Sequence, residues 1–273
     1  MIETDHHERR TERETGVATS FDLTGKTALV TGASSGLGAR FATVLAENGA
    51  HVVLAARRVE RLENLRSAIE AAGGKASVLA LDVTDFDAID PAIGAAEAQA
   101  GPIDILVNNS GVSTTQRLLD VKPADFDFVF DTNVKGAFFV GQAVGRRMVE
   151  RGKSEPGREA RIINVASMAG LKALAQIGPY AMSKAAVIHM TRAMALEWGR
   201  FGINVNAICP GYIRTELNDA HWETEGGQRL IAMLPRRRVG SPEDLDGLVL
   251  LLASGRSGFI NGAVIAADDG FAL

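Results

Sequence analysis

The stretch Thr27–Gly38, TALVTGASSGLG, decides the fold. Lys26 to Thr31 contains the continuous apolar run of Thr27, Ala28, Leu29 and Val30, the pattern of a strand buried on both faces and hence of a central strand in a parallel sheet. Gly32, Ala33, Ser34, Ser35, Gly36, Leu37 and Gly38 follow, and then an amphipathic helix to about Asn48. A strand, a glycine-rich turn and a helix N-terminus in succession make an anion site. Backbone N–H groups and the helix dipole converge there, and glycines let a pyrophosphate come close to the backbone. The spacing Gly32, Gly36, Gly38 departs from the general G-x-G-x-x-G fingerprint, so on spacing alone an ordinary turn stays open.

Working outward, the same alternation repeats. Strands are expected at His51–Ala55, Ala76–Leu81, Ile105–Val107, Arg161–Val165, Asn204–Cys209 and Gly262–Ala267. Helices are expected to about Ala72, at Phe86–Gln99, over Asp125–Arg151, at Pro179–Phe201 and at Pro242–Ala253, with a solvated loop at Gly152–Glu159. Strand and helix in regular alternation specify an α/β protein: a single-domain Rossmann fold with a doubly wound, seven-stranded parallel sheet, helices on both faces, and ligands at the carboxyl ends of the strands. No Pro/Gly/Ser-rich linker or repeat interrupts Leu23 to Leu273, so residues 21–273 read as one domain. Residues 1–20, charged and nearly without apolar side chains, read as a flexible tail in which His6 and His7 are solvated.

Composition narrows the partners. A chain of 273 residues with 46% hydrophobic residues builds a sizeable core, and a net charge of -4 with interspersed charges offers no basic field to nucleic acid or anionic lipid. The single Cys209 cannot form an internal disulfide and reads as a buried, inert side chain; no zinc-type Cys/His cluster exists, so no metal is expected. No apolar run approaches the ~18 residues of a membrane span, and the N-terminus is polar where a secretory signal is apolar. The reading is a cytoplasmic protein with a small-molecule partner.

Within the Pro179–Phe201 helix, Tyr180 and Lys184 stand four apart and share one face. A cation beside a phenol favours phenolate and is expected to lower the tyrosine pKa towards neutrality, where it can act as acid or base. The spacing alone also occurs by chance on solvated helix surfaces.

Together, TGASSGLG at Thr31–Gly38, Asn108-Asn109-Ser110-Gly111, Ser167 thirteen positions before Tyr180, and Lys184 four after it resemble the short-chain dehydrogenase/reductase (SDR) family in its classical form. Ser110 departs from that family's Asn-Asn-Ala-Gly. The resemblance implies Asn133, Ser167, Tyr180 and Lys184 as catalytic residues, with Asn133 bending its helix and holding a water on the proton path to Lys184. It implies that Gly32, Ser34, Ser35, Gly36, Leu37 and Gly38 cradle the cofactor and that Asp82 and Val83 meet its adenine. Asn109, Tyr180 and Lys184 then lie at its ribose, Pro210, Gly211, Ile213 and Thr215 at its nicotinamide and phosphates, while Asn108 ties adjacent strands together. Ser183 is left to face either the cofactor or the helix surface.

In dinucleotide folds an acid after the second strand holds the ribose hydroxyls, whereas an arginine accommodates a 2′-phosphate. Here Ala56 fills the acidic position, followed by Arg57 and Arg58. NADP(H) is therefore the expected cofactor, with NAD(H) possible; Arg57, Arg58 and Arg61 as a merely exposed helix start is the alternative.

The implied activity is hydride transfer between nicotinamide and a carbonyl or secondary alcohol, with Tyr180 as acid/base. A 3-oxoacyl-thioester reductase is the enzyme alternative, if the basic run Arg236, Arg237, Arg238 engages a carrier phosphate instead of being a solvated helix end. A non-catalytic cofactor-sensing scaffold is the alternative of another class. The pattern turns irregular from Glu216 to Pro235, where the resemblance places a substrate lid at about 215–235. Trp222, Leu230, Ile231 and Met233 suggest that it shows the substrate an apolar face. The Pro179–Phe201 helix is apolar almost all round, and a second subunit is expected to cover it, as in the family's homotetramers. The ending Asp268-Asp269-Gly270 puts Asp269 where the family has glycine, which questions the local turn.

Overall fold

Every residue of β1 (Thr27–Thr31) is buried, as its apolar run requires. Ala28 and Val30 pack with Phe41 and Leu45 of α1 (Gly36–Glu47), while Leu29 points the other way, into the core built by α3 (Phe86–Ala100) and the later helices. Side chains of the size of Phe41 or Leu45 each contribute roughly 2 kcal/mol when fully buried. This computed structural model describes residues 21–216 and 218–273; the expected tail and its His6–His7 pair lie outside the described residues.

The remaining elements are β2 (His51–Ala56), α2 (Val59–Ala71), β3 (Lys75–Ala80), β4 (Ile103–Asn108), α4 (Pro123–Phe130), α5 (Ala137–Ser154), β5 (Ala160–Val165), α6 (Gly178–Trp198), β6 (Ile203–Pro210), α7 (Asp219–Trp222), α8 (Glu225–Met233), α9 (Asp246–Ala253) and β7 (Val264–Ala267). The sheet runs β3-β2-β1-β4-β5-β6-β7 and every pairing is parallel. Chain order reverses between β1 and β4, and the crevice outside those two strand ends is where such folds bind ligands. Among the described residues, no helix is long and apolar enough to cross a membrane.

Four elements differ from the sequence-based expectation. The helix expected over Asp125–Arg151 is interrupted between α4 and α5 by a π-helical turn, Asp131–Gly136, in which Asn133 is buried and bonded to other elements. The loop expected from Gly152 is helical to Ser154, because Gly152, lacking a Cβ, passes directly over the Phe201 carbonyl. The segment expected to be irregular, Glu216–Pro235, holds α7 and α8; buried Trp222 anchors the first, and the Thr224 hydroxyl accepts from the Gly227 N–H to cap the second. Pro242–Ala253 begins as a 3-10 turn, Pro242–Leu245, before α9.

Candidate active site

A cleft of about 1080 Å³ runs along the carboxyl ends of the strands at the β1/β4 reversal, and the glycine-rich turn forms its floor. Gly32 (φ 67°) and Gly36 (φ 55°) take left-handed backbone that glycine adopts without strain. A Cβ on Gly38 would collide with the Gly32 carbonyl oxygen, so the turn closes only with glycine there.

Thr31, the last residue of β1, holds the neighbouring strand end in place. Its Oγ1 accepts from the Asn109 N–H (2.9 Å) and the Ser110 N–H (3.0 Å), and Asn109 Nδ2 donates to the Thr31 carbonyl (3.0 Å). The strand tie expected of Asn108 therefore belongs to Asn109. Asn108 is buried and donates instead to the carbonyl of Ala137 at the start of α5 (2.6 Å), fixing the sheet to the helix just past the π turn.

One end of the cleft is charged. Arg58 donates to Ser34 Oγ (2.8 Å) and Ser35 Oγ (2.7 Å), drawing the glycine turn towards α2, and Arg57 extends beside it with Nη1 3.7 Å from Asp82 Oδ2. Burial works to raise the Asp82 carboxyl, but the Thr84 N–H (3.0 Å) and hydroxyl (2.7 Å) that it accepts, with Arg57 beyond, hold it below the usual carboxylate range. Leu81, Val83 and Ala56 complete this end. Two guanidinium groups, two serine hydroxyls and the open backbone of a glycine turn suit a phosphate-bearing dinucleotide, and no acid stands at Ala56 to oppose one.

The middle of the cleft gathers Ser167, Tyr180 and Lys184, and Asn133 stands just behind them. Ser167 follows β5, and its Oγ accepts from the Ala169 N–H (3.1 Å), which caps the short turn Met168–Gly170. That turn lies directly on α6: a Cβ on Gly170 would sit 2.8 Å from the Lys184 backbone carbon. The contact brings Ser167 within hydrogen-bonding reach of Tyr180.

The expected lowering of the Tyr180 pKa by Lys184 is not met. Burial raises the phenol, and the Ser167 hydrogen bond offsets this only in part. The Lys184 ammonium, 5.6 Å from the Tyr180 ring centroid, donates to the Val165 carbonyl instead (2.8 Å), and burial pulls it down to about 8. Cys209 is fully buried, as expected, with its thiol pushed up to about 11 by burial.

Asn133 Nδ2 donates to the Val112 carbonyl (2.9 Å) and to Ser183 Oγ (2.9 Å), while its Oδ1 accepts from the Val112 N–H (2.8 Å). Ser183 in turn donates to the Tyr180 carbonyl (2.7 Å). It faces neither cofactor cleft nor solvent but is fully buried, and it joins the π turn to the helix that carries Tyr180.

Beyond Pro210 the chain folds back over the cleft. Gly211 N–H bonds the Ala267 carbonyl (3.0 Å), Ile213 pairs with Gly240, and Thr215 stands opposite Gly36, its Cγ2 3.5 Å from where a Cβ would be. Asn218 ties this segment together: its Oδ1 accepts from the Thr215 N–H (2.8 Å) and from Trp222 Nε1 (3.1 Å), and its Nδ2 donates to the Ile213 carbonyl (2.9 Å). Nothing in residue spacing singles out Asn218 or Thr31, although an Asn three residues after Thr215 fits a local turn. Of the four apolar lid residues expected at the substrate, Trp222 and Leu230 line the cleft; Ile231 does not, and Met233 points to solvent.

The basic run is not a free anion site. Arg236 and Arg238 both bond the Asp269 carboxylate (2.9 and 2.7 Å), and Arg237 between them takes left-handed backbone (φ 50°). Asp269 itself has φ 56°, the conformation a glycine would take there; aspartate is among the residues that tolerate it, and two guanidinium groups hold it.

Compared with known proteins, residues 26–226 match the short chain dehydrogenase family. Gluconate 5-dehydrogenase of Gluconobacter oxydans is 41% identical over 254 residues, covering 93% of this chain and 97% of that protein. D-threitol dehydrogenase of Mycolicibacterium smegmatis is 35% identical over 261 residues, 96% of this chain and 98% of that one. Among solved structures, a gluconate 5-dehydrogenase from Burkholderia cenocepacia in complex with NADP and tartrate matches with a TM-score of 0.86 at 36% identity, over 92% of this chain and 96% of its own.

Proposed function

The chain belongs to the short-chain dehydrogenase/reductase family and is an oxidoreductase of alcohol and carbonyl groups, from which we propose that it prefers NADP(H), uses Tyr180 as its acid/base, and acts on a hydroxylated carbonyl or its alcohol. The observation that carries this reading is the convergence of Ser167, Tyr180 and Lys184 in one cleft whose far end holds Arg57, Arg58 and Ser34. A bound nicotinamide dinucleotide supplies or accepts the hydride. The backbone of Gly32–Gly38 holds its pyrophosphate, Arg57, Arg58 and Ser34 its 2′-phosphate, Asp82 and Val83 its adenine. Asn109 and Lys184 hold its ribose groups, and Pro210, Gly211, Ile213 and Thr215 its nicotinamide end.

In reduction Tyr180 gives its phenolic proton to the substrate oxygen. Its raised pKa keeps that proton in place at neutral pH, which suits an acid. Ser167 donates to the same oxygen as charge develops, an interaction strongest in the transition state. Lys184, drawn down to about 8, can exchange a proton near neutral pH and refill Tyr180. Asn133 fixes the backbone around this path. The lid, residues 215–235, closes over the substrate and excludes water.

Steady-state assays with NADPH and NADH in parallel, on hydroxyketones, simple ketones and a 3-oxoacyl thioester, test this. Tyr180→Phe is expected to lower kcat by roughly 10²–10⁴-fold. Arg57→Ala with Arg58→Ala is expected to weaken NADPH at least about tenfold while sparing NADH. Equal use of both cofactors by the parent enzyme would remove the arginine assignment, and a fully active Tyr180→Phe would remove the mechanism.

A further inference from the structure

The cleft changes character along its length. Arg57, Arg58 and Asp82 stand at one end, and Lys184 in the middle is spent on the Val165 carbonyl. The other end is walled by Ser113, Thr115, Leu174, Tyr212, His221 and Leu230. Among the residues that line the cleft, Arg57, Arg58 and Lys184 are the lysines and arginines, and those on the elements around this end lie outside its lining and are directed elsewhere. Lys172 donates to the Phe271 carbonyl (3.0 Å), Arg214 bonds Asp219 (2.6 Å) and Glu223 (3.2 Å), and Arg236 and Arg238 share Asp269. A carboxylate entering here would lose water without meeting a fixed cation among the described residues, whereas neutral hydroxyls would find donors and acceptors on Ser113, Thr115, Tyr212 and His221. Burial raises the Tyr212 phenol and keeps it a neutral donor.

The backbone of His221 is firmly held. Its carbonyl accepts from the Thr224 hydroxyl (2.7 Å) and N–H (3.1 Å), and Gly227 packs so closely on that carbonyl that a Cβ would collide with it. The imidazole lies edge-to-face on Trp222, 5.2 Å between centroids. Trp222 is buried, touches Tyr212 (5.6 Å), and is tied through Nε1 to Asn218. The backbone that carries the ring is therefore fixed, and the exposed ring leans on Trp222.

We propose that this end of the cleft selects an uncharged polyhydroxylated chain, a polyol or its hydroxyketone, over the sugar acid of the same length, and that His221 reads a hydroxyl beyond the reacting carbon. This rests on the oxidoreductase reading above. In the oxidative direction the carbinol carbon loses a hydride to the oxidised nicotinamide and its hydroxyl loses a proton to Tyr180 in its phenolate form, whose own proton has first left through Lys184 to solvent, so that polyol and NADP⁺ become hydroxyketone, NADPH and H⁺.

The test uses the full chain at saturating NADP⁺ and measures kcat/KM for matched four- to six-carbon pairs, threitol against threonate, xylitol against xylonate, glucitol against gluconate, with cyclohexanol as a reference without extra hydroxyls. The polyol of the best pair is expected to exceed its acid at least about tenfold. His221→Ala is expected to lower the polyol-to-cyclohexanol ratio about tenfold, mainly through KM, and His221→Gln, which keeps a donor and an acceptor, to restore part of it. Preference for the acids, turnover confined to cyclohexanol, or equal losses on polyol and cyclohexanol in His221→Ala would overturn the proposal and leave the oxidoreductase reading standing. Nucleotide binding without oxidation of any alcohol would overturn both.

Discussion

Lys184 is 4% exposed, and its ammonium lies 2.8 Å from one carbonyl, that of Val165. Burial lowers its pKa from 10.5 to about 8, with a smaller opposing pull from Cys209. Between those two values the unfolded chain binds a proton that the folded chain has released, so stability rises with pH across this window; the contribution is complete above 10.5 and lost as pH falls through 8. At about 1.4 kcal/mol per pKa unit the full effect is on the order of 3 kcal/mol, an upper figure. Lys184→Met is accordingly expected to be more stable than the parent at pH 7, with the difference shrinking towards pH 10. Urea melts at both pH values measure it, and a variant less stable at pH 7 would show that the Val165 bond outweighs the cost of the buried charge. The tyrosine–lysine pair is legible in the sequence as a shared helix face. Its electrostatics are not, because they depend on Val165, nineteen residues away, and on burial that only the folded chain provides.

Between α4 and α5, the π turn Asp131–Gly136 is held by what Asn133 reaches. Its amide satisfies both backbone groups of Val112 and meets Ser183 on α6, so one side chain joins three elements around the site. Asn133→Ala would leave the Val112 N–H and carbonyl without those partners in a nearly closed space. The expected cost is about 2–4 kcal/mol in urea unfolding, since each orphaned polar group costs about 1–3 kcal/mol, together with a fall in kcat. Ser183→Ala, which removes one of the three contacts, is expected to cost less than half as much. An unchanged unfolding midpoint in Asn133→Ala would mean that the turn is held by its backbone alone. A buried polar residue in a helical pattern points to such a latch, but periodicity carries no sign of the π turn, because the partners lie 21 and 50 residues distant.

Across the whole molecule, apolar side chains gather on the outer face of α5 and α6. Leu196 is 86% exposed and Phe138 38%, beside a groove that Val149, Met190, Trp198 and Phe201 also line. A patch of this kind marks an association surface, and the expectation is a homotetramer that buries it. Sedimentation of the parent should give an assembly at micromolar concentration, and Leu196→Glu should shift it to smaller species by placing an unpaired charge in the interface. A parent that sediments as a monomer would remove the expectation. None of these patch residues lines the cleft, so assembly would cover the helix that carries Tyr180 and Lys184 without entering it.

Apart from Ser167, which only the resemblance to the family supplied, patterns read along the chain determined the order of the elements, the parallel sheet, the glycine turn and the shared helix face of Tyr180 and Lys184. Each is written in local period, in glycine placement or in residues a helical turn apart, and local sterics translate these directly into backbone. Tertiary structure alone decided that Asn109, and not Asn108, ties the strands, that Ser183 turns inward, that Asp269 absorbs Arg236 and Arg238, and that His221 stands at the uncharged end of the cleft. Most of these depend on atoms brought within about 3 Å from tens of residues away, and no local pattern specifies which distant partner a polar side chain will meet.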